Sequence, residues 1–204
     1  MIKSNIESIF PTPIYMANID RRLTNKELSF VEDQKKHCQD NKGNINTIDN
    51  YILNNSEFKK IKKFLEECCD DYLQKVICPK NDTKLRITQS WINYTEENQY
   101  HHLHEHPNSV VSGVFYIDAD EKNDSIKFFD KEYRQIFPAI NKFNLWNSTS
   151  WWFTAQTGQL VMFPSSTSHQ VDFKKGSNTR ISLSFNTFYT GTIGDNKDLA
   201  ELIL

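Results

Sequence analysis

From Ser56 to Ile77 the apolar residues Phe58, Ile61, Phe64, Leu65, Cys68, Tyr72, Leu73, Val76 and Ile77 recur every three or four positions, with lysines and acids between them. That is the spacing of one helical face, so the segment predicts an amphipathic helix whose apolar side lies on something apolar. Pro79 follows closely enough to stop it. A shorter helix is predicted over about 25–38, because Thr24 and Glu27 have the capping-box spacing just ahead of LSFVEDQKKHC.

From Leu85 onward the pattern changes. LRITQSWINY, VVSGVFYI, SIKFF, SWWFTA, QLVMFP, SHQVDF and RISLSFNTFY are short runs rich in β-branched and aromatic residues, mostly alternating and separated by Gly, Asn, Asp and Pro. Such runs predict antiparallel strands. Helices first and strands after give an α+β, mainly β class, a sandwich or jelly-roll barrel with the N-terminal helices packed on one sheet. We expect one domain over 1–204, with an N-terminal strand and helical support in 1–80 and a β core in 85–190. Residues 131–149 form an irregular excursion between strands, read as a lid or an insertion.

Composition narrows the classes. The net charge is −2 over 204 residues, and lysines and arginines are spread along the chain, so no basic stripe points to nucleic acid. MIKSNIESIFPTPIY lacks the apolar stretch of a signal peptide, and no run approaches a membrane span. The expectation is a soluble cytoplasmic protein. Cys38, Cys68, Cys69 and Cys78 include no CxxC pair, which predicts reduced and largely buried thiols rather than a zinc knuckle or disulfides.

The candidate chemistry starts at HHLHEHP, residues 101–107, which holds four of the six histidines. In an extended strand residues two apart point the same way, about 6.6 Å apart, so His102, His104 and His106 share a face while Leu103 and Glu105 take the other. Two imidazoles on a strand become a metal site only with a third donor, and His169 after QLVMFP is available. The other reading is a set of solvated or hydrogen-bonded histidines. In RISLSFN, Arg180, Ser182, Ser184 and Asn186 alternate with Ile181, Leu183 and Phe185. Their polar face either meets water or lines an internal pocket for an anion, where an arginine requires a carboxylate partner. Trp146, Trp151 and Trp152 read as core aromatics, and Lys174–Gly176 as a solvated hairpin turn.

WINY, HEHPNSVVSGVFYI, GQLVMFPSSTSHQV and RISLSFN, in this order, resemble the Fe(II) and 2-oxoglutarate dependent oxygenases, in particular a bacterial and phage branch with HxHPxS, SGVYY, FPS, H and RISxSFN segments. The resemblance also covers FPTPIY near the start. It implies a double-stranded β-helix holding Fe(II), with His104 and His106 as the proximal ligands and His169 as the distal one. Arg180 then clamps the distal carboxylate of 2-oxoglutarate, Ser182 completes an R-x-S pair, and Asn93 and Tyr116 fall at recurring pocket positions. His101 and His102 are expected at the pocket rim or on the surface. The implied reaction consumes 2-oxoglutarate and O2, gives succinate and carbon dioxide, and hydroxylates a peptidyl or small-molecule substrate in a bacterial or phage-infected cell. His106 departs from the pattern, since a carboxylate usually stands there. A register using His102 with His104 is the alternative, and HPNS favours 104 with 106. A cupin-type three-His enzyme without 2-oxoglutarate and a non-catalytic jelly-roll module are the competing readings. Oligomeric state, a homodimer included, is left open.

Overall fold

The computed structural model describes residues 2–131, 136 and 138–204. In chain order the main elements begin with β1 (Tyr15–Asn18), α1 (Asn25–Gln34), β2 (Cys38–Asp40), β3 (Ile45–Thr47) and α2 (Lys59–Tyr72). There follow β4 (Lys84–Thr95), β5 (His101–His104), β6 (Val111–Asp118), β7 (Ser125–Phe129), β8 (Ser150–Thr154), β9 (Gln159–Pro164), β10 (His169–Val171) and β11 (Arg180–Thr190). Two short strands, β12 (Thr192–Ile193) and β13 (Leu202–Ile203), pair near the C-terminus. The protein is thus mostly β with two α-helices.

The larger sheet has the order β1-β9-β6-β11-β4-β3-β2 and the smaller β5-β10-β7-β8. All the strand pairs within them are antiparallel. Between β4 and β11 the chain alternates between the sheets at every step except β7 to β8. Every second residue of a strand therefore has a defined destination. On β11, Ile181, Leu183 and Phe185 join Phe58, Ile61, Leu65, Cys69 and Tyr72 in the core between the large sheet and the helices. A second apolar cluster, with Tyr116, Ile126, Phe128, Val161 and Phe163, forms from inner-face residues of both sheets. The polar residues of β11 alternate with the first set and face the space between the sheets.

Gly113 on β6 lies opposite Phe185, and a Cβ there would stand 2.3 Å from the Phe185 ring. Phe185 is fully buried. Gly113→Ala is expected to cost about 1–3 kcal/mol by overpacking, read as a lower urea midpoint. An unchanged midpoint would show that the ring can move aside.

One helix end differs from expectation. The capping box of α1 forms as predicted, and Arg21 adds an ion pair to its Glu27. The helix stops at Gln34, however, and after a 3-10 turn Cys38 pairs with Thr47 across β2 and β3. These two strands were not predicted, because their short polar stretches acquire strand form only by pairing beside β4. α2 closes through a π-helical turn, Leu73–Ile77, and Cys78 takes φ 50 with its N–H on the Leu73 carbonyl. The helix thus ends directly before Pro79, which disfavours the helical region for the residue preceding it. Cys68 and Cys69 are buried free thiols, as expected, and burial pushes Cys69 up to about 12. Cys78 is exposed on its turn and Cys38 is half-buried, so burial does not extend to all four.

Of the 131–149 excursion, residues 132–135 and 137 lie outside the described residues. The tryptophans are not core. Trp152, on the edge strand β8 of the smaller sheet, is 58% exposed, Trp146 in the turn before it is 52% exposed, and Trp151 is half-buried. Among the described residues no helix is long and apolar enough to cross a membrane.

Candidate active site

Alternation on three neighbouring strands of the large sheet builds one wall of a pocket. Ser182 lies opposite Asn93 on β4 and Tyr116 on β6, and Ser184 lies opposite Trp91 and Val114. These side chains line the pocket together with Arg180, His101, His104, His106 and His169. The smaller sheet closes it from the other side, where β10 sets His169 directly across from His104.

Two of the imidazoles are held in one tautomer. His104 Nδ1 lies 2.7 Å from the His102 carbonyl, and His169 Nδ1 lies 2.9 Å from the Thr167 carbonyl. A carbonyl only accepts, so in each ring Nδ1 carries the proton and Nε2 keeps a free lone pair. His106 follows β5, with its backbone N–H on the Ser165 carbonyl at 3.0 Å. Ser165 is itself tied to Ser109 and Ser112 by hydroxyl bonds of 2.7 and 2.8 Å. One ligand atom from each of His104, His106 and His169 lies within 4.8 Å of the others. Three neutral imidazoles at that spacing could hold one metal ion.

Burial lowers all three. It takes His169 down to about 3 and His106 to about 4, reinforced by His104 in both cases, and it lowers His104 as well. The rings are thus neutral at neutral pH. Because unfolded imidazoles bind protons that the folded ones refuse, stability is fully present above the unfolded value of about 6.5 and falls as pH drops from there toward the folded values. The metal-free protein should show a lower urea midpoint at pH 5.5 than at pH 7.5. A midpoint equal at the two pH values would contradict this origin of the neutrality.

At the inner end of the pocket Arg180 is only 3% exposed. Its Nη2 donates to the Thr95 hydroxyl at 3.1 Å, and its Nη1 lies 3.8 Å from Asp124 Oδ1. That leaves most of its donors without a hydrogen bond from the described residues. Burial lowers the guanidinium, and Tyr116 and Asp124 oppose that shift. Tyr116 itself is pushed up to about 12 by burial, with the Arg180 charge acting against it. Asn93 donates to Ser184 Oγ at 3.0 Å, while its Oδ1 is buried without a hydrogen-bond partner among the described residues. An arginine with spare donors is suited to a small anion, whereas the orphaned amide oxygen calls for a donor.

The structure brings His104, His106, His169, Arg180, Ser182, Asn93 and Tyr116 to one pocket. His101 also lines the pocket, although strand alternation alone sets it apart from His104 and His106. His169 pairs with His104 and Val171 with His101, so three steps on β5 match two on β10. This β-bulge reverses the alternation, and His101 enters the pocket with its ring stacked on His104 at 4.5 Å. His102 does not share the His104 and His106 cluster, although it groups with His101 and His104 and has a buried Nδ1 without a hydrogen-bond partner. Glu105 points away and accepts from Ser168, with Lys131 at 3.0 Å. Among the described residues, both groupings of possible metal ligands consist of histidines alone.

Lys174 is a second correction. It is fully buried rather than solvated, and its ammonium donates to Asn178 Oδ1 at 2.9 Å and to the Lys175 carbonyl at 3.0 Å. The chain bends there, but backbone bonds between Lys174 and the Asn98–Gln99 loop draw the side chain inward.

Residues 89–186 match a family model described as "Putative 2OG-Fe(II) oxygenase". The match spans just under half of the chain, and over it the chain is similar to that family. The matched segment holds all seven of the pocket residues named by the sequence motifs. Solved structures of such enzymes resemble the chain over 85–86% of its length. HygX from Streptomyces hygroscopicus, with nickel, 2-oxoglutarate and hygromycin B, gives a TM-score of 0.57 at 10% identity over 86% of this chain and 82% of its own. The collagen prolyl hydroxylase vCPH of Paramecium Bursaria Chlorella virus-1 gives 0.52 at 14% over 85% and 95%. A Pseudomonas putida prolyl-4-hydroxylase gives 0.54 at 12% over 86% and 92%. No curated protein sequence matches the chain. At these identities the likeness is one of fold.

Proposed function

We propose that the protein is an Fe(II)- and 2-oxoglutarate-dependent dioxygenase that hydroxylates a peptidyl or small-molecule substrate. The observation that carries this is a single one: His104, His106 and His169 present neutral donors within 4.8 Å of one another, in the pocket that also contains buried Arg180. The alternation of β4 to β11 between two antiparallel sheets agrees with a double-stranded β-helix.

In this reading the three histidines hold the iron, and the carbonyls of His102 and Thr167 keep the His104 and His169 rings in the binding tautomer. The residues present fit such a group, because every candidate ligand is neutral and the pocket retains unpaired polar atoms. Arg180 receives the distal carboxylate of 2-oxoglutarate, with Ser182, Asn93 and Tyr116 around it. Iron with 2-oxoglutarate and O2 supplies oxidative decarboxylation to succinate and carbon dioxide coupled to oxidation of a C–H bond. The chain's own part is to orient both groups and to exclude water through Phe163 and Phe128, which pack on His169 at 4.6 and 6.1 Å between ring centroids. HygX was crystallised with hygromycin B and vCPH is a collagen prolyl hydroxylase, so both substrate classes have precedent on this fold.

The test is succinate release from 2-oxoglutarate with Fe(II), together with 2-oxoglutarate binding by anaerobic calorimetry with Mn(II). Stoichiometric binding is expected, and its absence would sink the reading. One observation favours a second reading. The imidazole at 106 gives an all-histidine set, which suits a cupin-type enzyme that takes no oxoacid. Metal-dependent turnover indifferent to 2-oxoglutarate would select that alternative.

A further inference from the structure

Behind the pocket stands a buried group of three charges. Asp124, at the turn before β7, has a side chain with no exposure. Lys174 is equally buried, and Arg180 shows 3%. Asp124 Oδ1 lies 3.6 Å from Lys174 Nζ and 3.8 Å from Arg180 Nη1, both too long for hydrogen bonds, and it has no hydrogen-bond partner among the described residues. Its Oδ2 accepts from the Asp120 backbone N–H at 2.9 Å. Two cations therefore face one anion in a place that water reaches poorly. Asp118, Asp120 and Glu96 lie nearby, but Asp118 is exposed, Asp120 is half-buried and turned to the backbone of Lys122, and Glu96 pairs with Lys35 at 2.7 Å. Solvent or their own partners screen these carboxylates.

A lone aspartate behind a buried arginine would form a short, two-pronged ion pair with it. That pair would turn the guanidinium from the pocket and cancel its charge. Here the carboxylate stays between two cations at long range. Lys174 does not line the pocket, and it is anchored on Asn178 and the Lys175 carbonyl. It is thus a fixed counter-charge to Asp124. We infer that Lys174 is a positioning residue for cosubstrate binding: it holds and neutralises Asp124, so that Arg180 keeps an unspent charge and free donors for a carboxylate entering the pocket. This rests on the proposed function. It predicts selection for one ionised carboxylate, the group that completes the charge balance.

The experiment measures 2-oxoglutarate binding by anaerobic calorimetry with Mn(II), and the thermal shift the ligand produces, for wild type, Lys174→Met, Asp124→Asn and the double variant. Lys174→Met is expected to weaken binding at least about tenfold, as Asp124 captures Arg180. Adding Asp124→Asn removes the competitor and should restore affinity to within about threefold of wild type. Asp124→Asn alone should bind as well as wild type or better. A merely structural role for Lys174 would not be rescued in this way. Should Lys174→Met fail to fold, the double variant, in which a buried pair gives way to neutral side chains, carries the test. Wild-type affinity in Lys174→Met, or a tenfold loss in Asp124→Asn or the double variant, overturns the inference. Failure of wild type itself to bind 2-oxoglutarate overturns the proposed function and the inference with it, an outcome distinct from any difference among variants.

Discussion

Replacing His169 by alanine is expected to abolish stoichiometric metal binding and, with it, succinate formation. His169 is the one donor from β10, and two imidazoles from the β5 side cannot close a site alone. Loss of an outer hydrogen bond to a ligand ordinarily weakens metal affinity by about 10–100-fold, so loss of a donor should exceed a hundredfold. The ring also fills space against Phe163, and it is 5% exposed. Alanine therefore lowers stability as well, through the cavity it leaves. His169→Gln keeps more of the volume and separates the effects: a folded Gln variant without metal supports the assignment. Metal analysis of untagged protein reads the outcome. Retention of one ion per chain would show that the ligands lie elsewhere, for instance among His101, His102 and His104, which form the neighbouring cluster.

The second large effect is at Arg180. Arg180→Met should weaken 2-oxoglutarate by roughly 2–5 kcal/mol, about thirtyfold or more, because truncating one side of a buried charge pair leaves the other without its partner. Folding should survive. The variant leaves Asp124 with Lys174, one anion with one cation, in place of the excess positive charge. Arg180→Lys keeps the charge but loses the planar fork, so an intermediate loss is expected. Calorimetry with Mn(II) under anaerobic conditions checks both, and metal content should stay unchanged. Equal affinity in Arg180→Met and wild type would remove the carboxylate role.

Much of this arrangement is legible before any fold is known. The 3.6 period of α2 and the 2.0 period of β11 each announce a buried face, and the face left over on β11 is the pocket wall with Arg180, Ser182 and Ser184. Periodicity is local, so short-range sequence carries it. The misses are positions where tertiary placement overrules the local pattern. β2 and β3 exist through pairing beside β4. Trp152 is exposed because β8 has no neighbour on its outer side among the described residues.

The histidines divide the same way. That His104 and His106 could meet a distant imidazole follows from two-residue spacing and from the order of the motifs. That His101 joins them does not, since it depends on one extra residue in β5 being absorbed against β10. Lys174 is the sharper case. In the chain it is one basic residue beside Lys175 and Gly176, with the texture of a solvated turn. Only the closure of the sheets carries it behind Arg180, across from Asp124, fifty positions earlier in the chain. Local sequence thus set which faces are apolar and which residue types are available to a metal and a carboxylate. Their number, register and charge balance were decided by strand pairing, because a contact between residues far apart in the chain has no local signature.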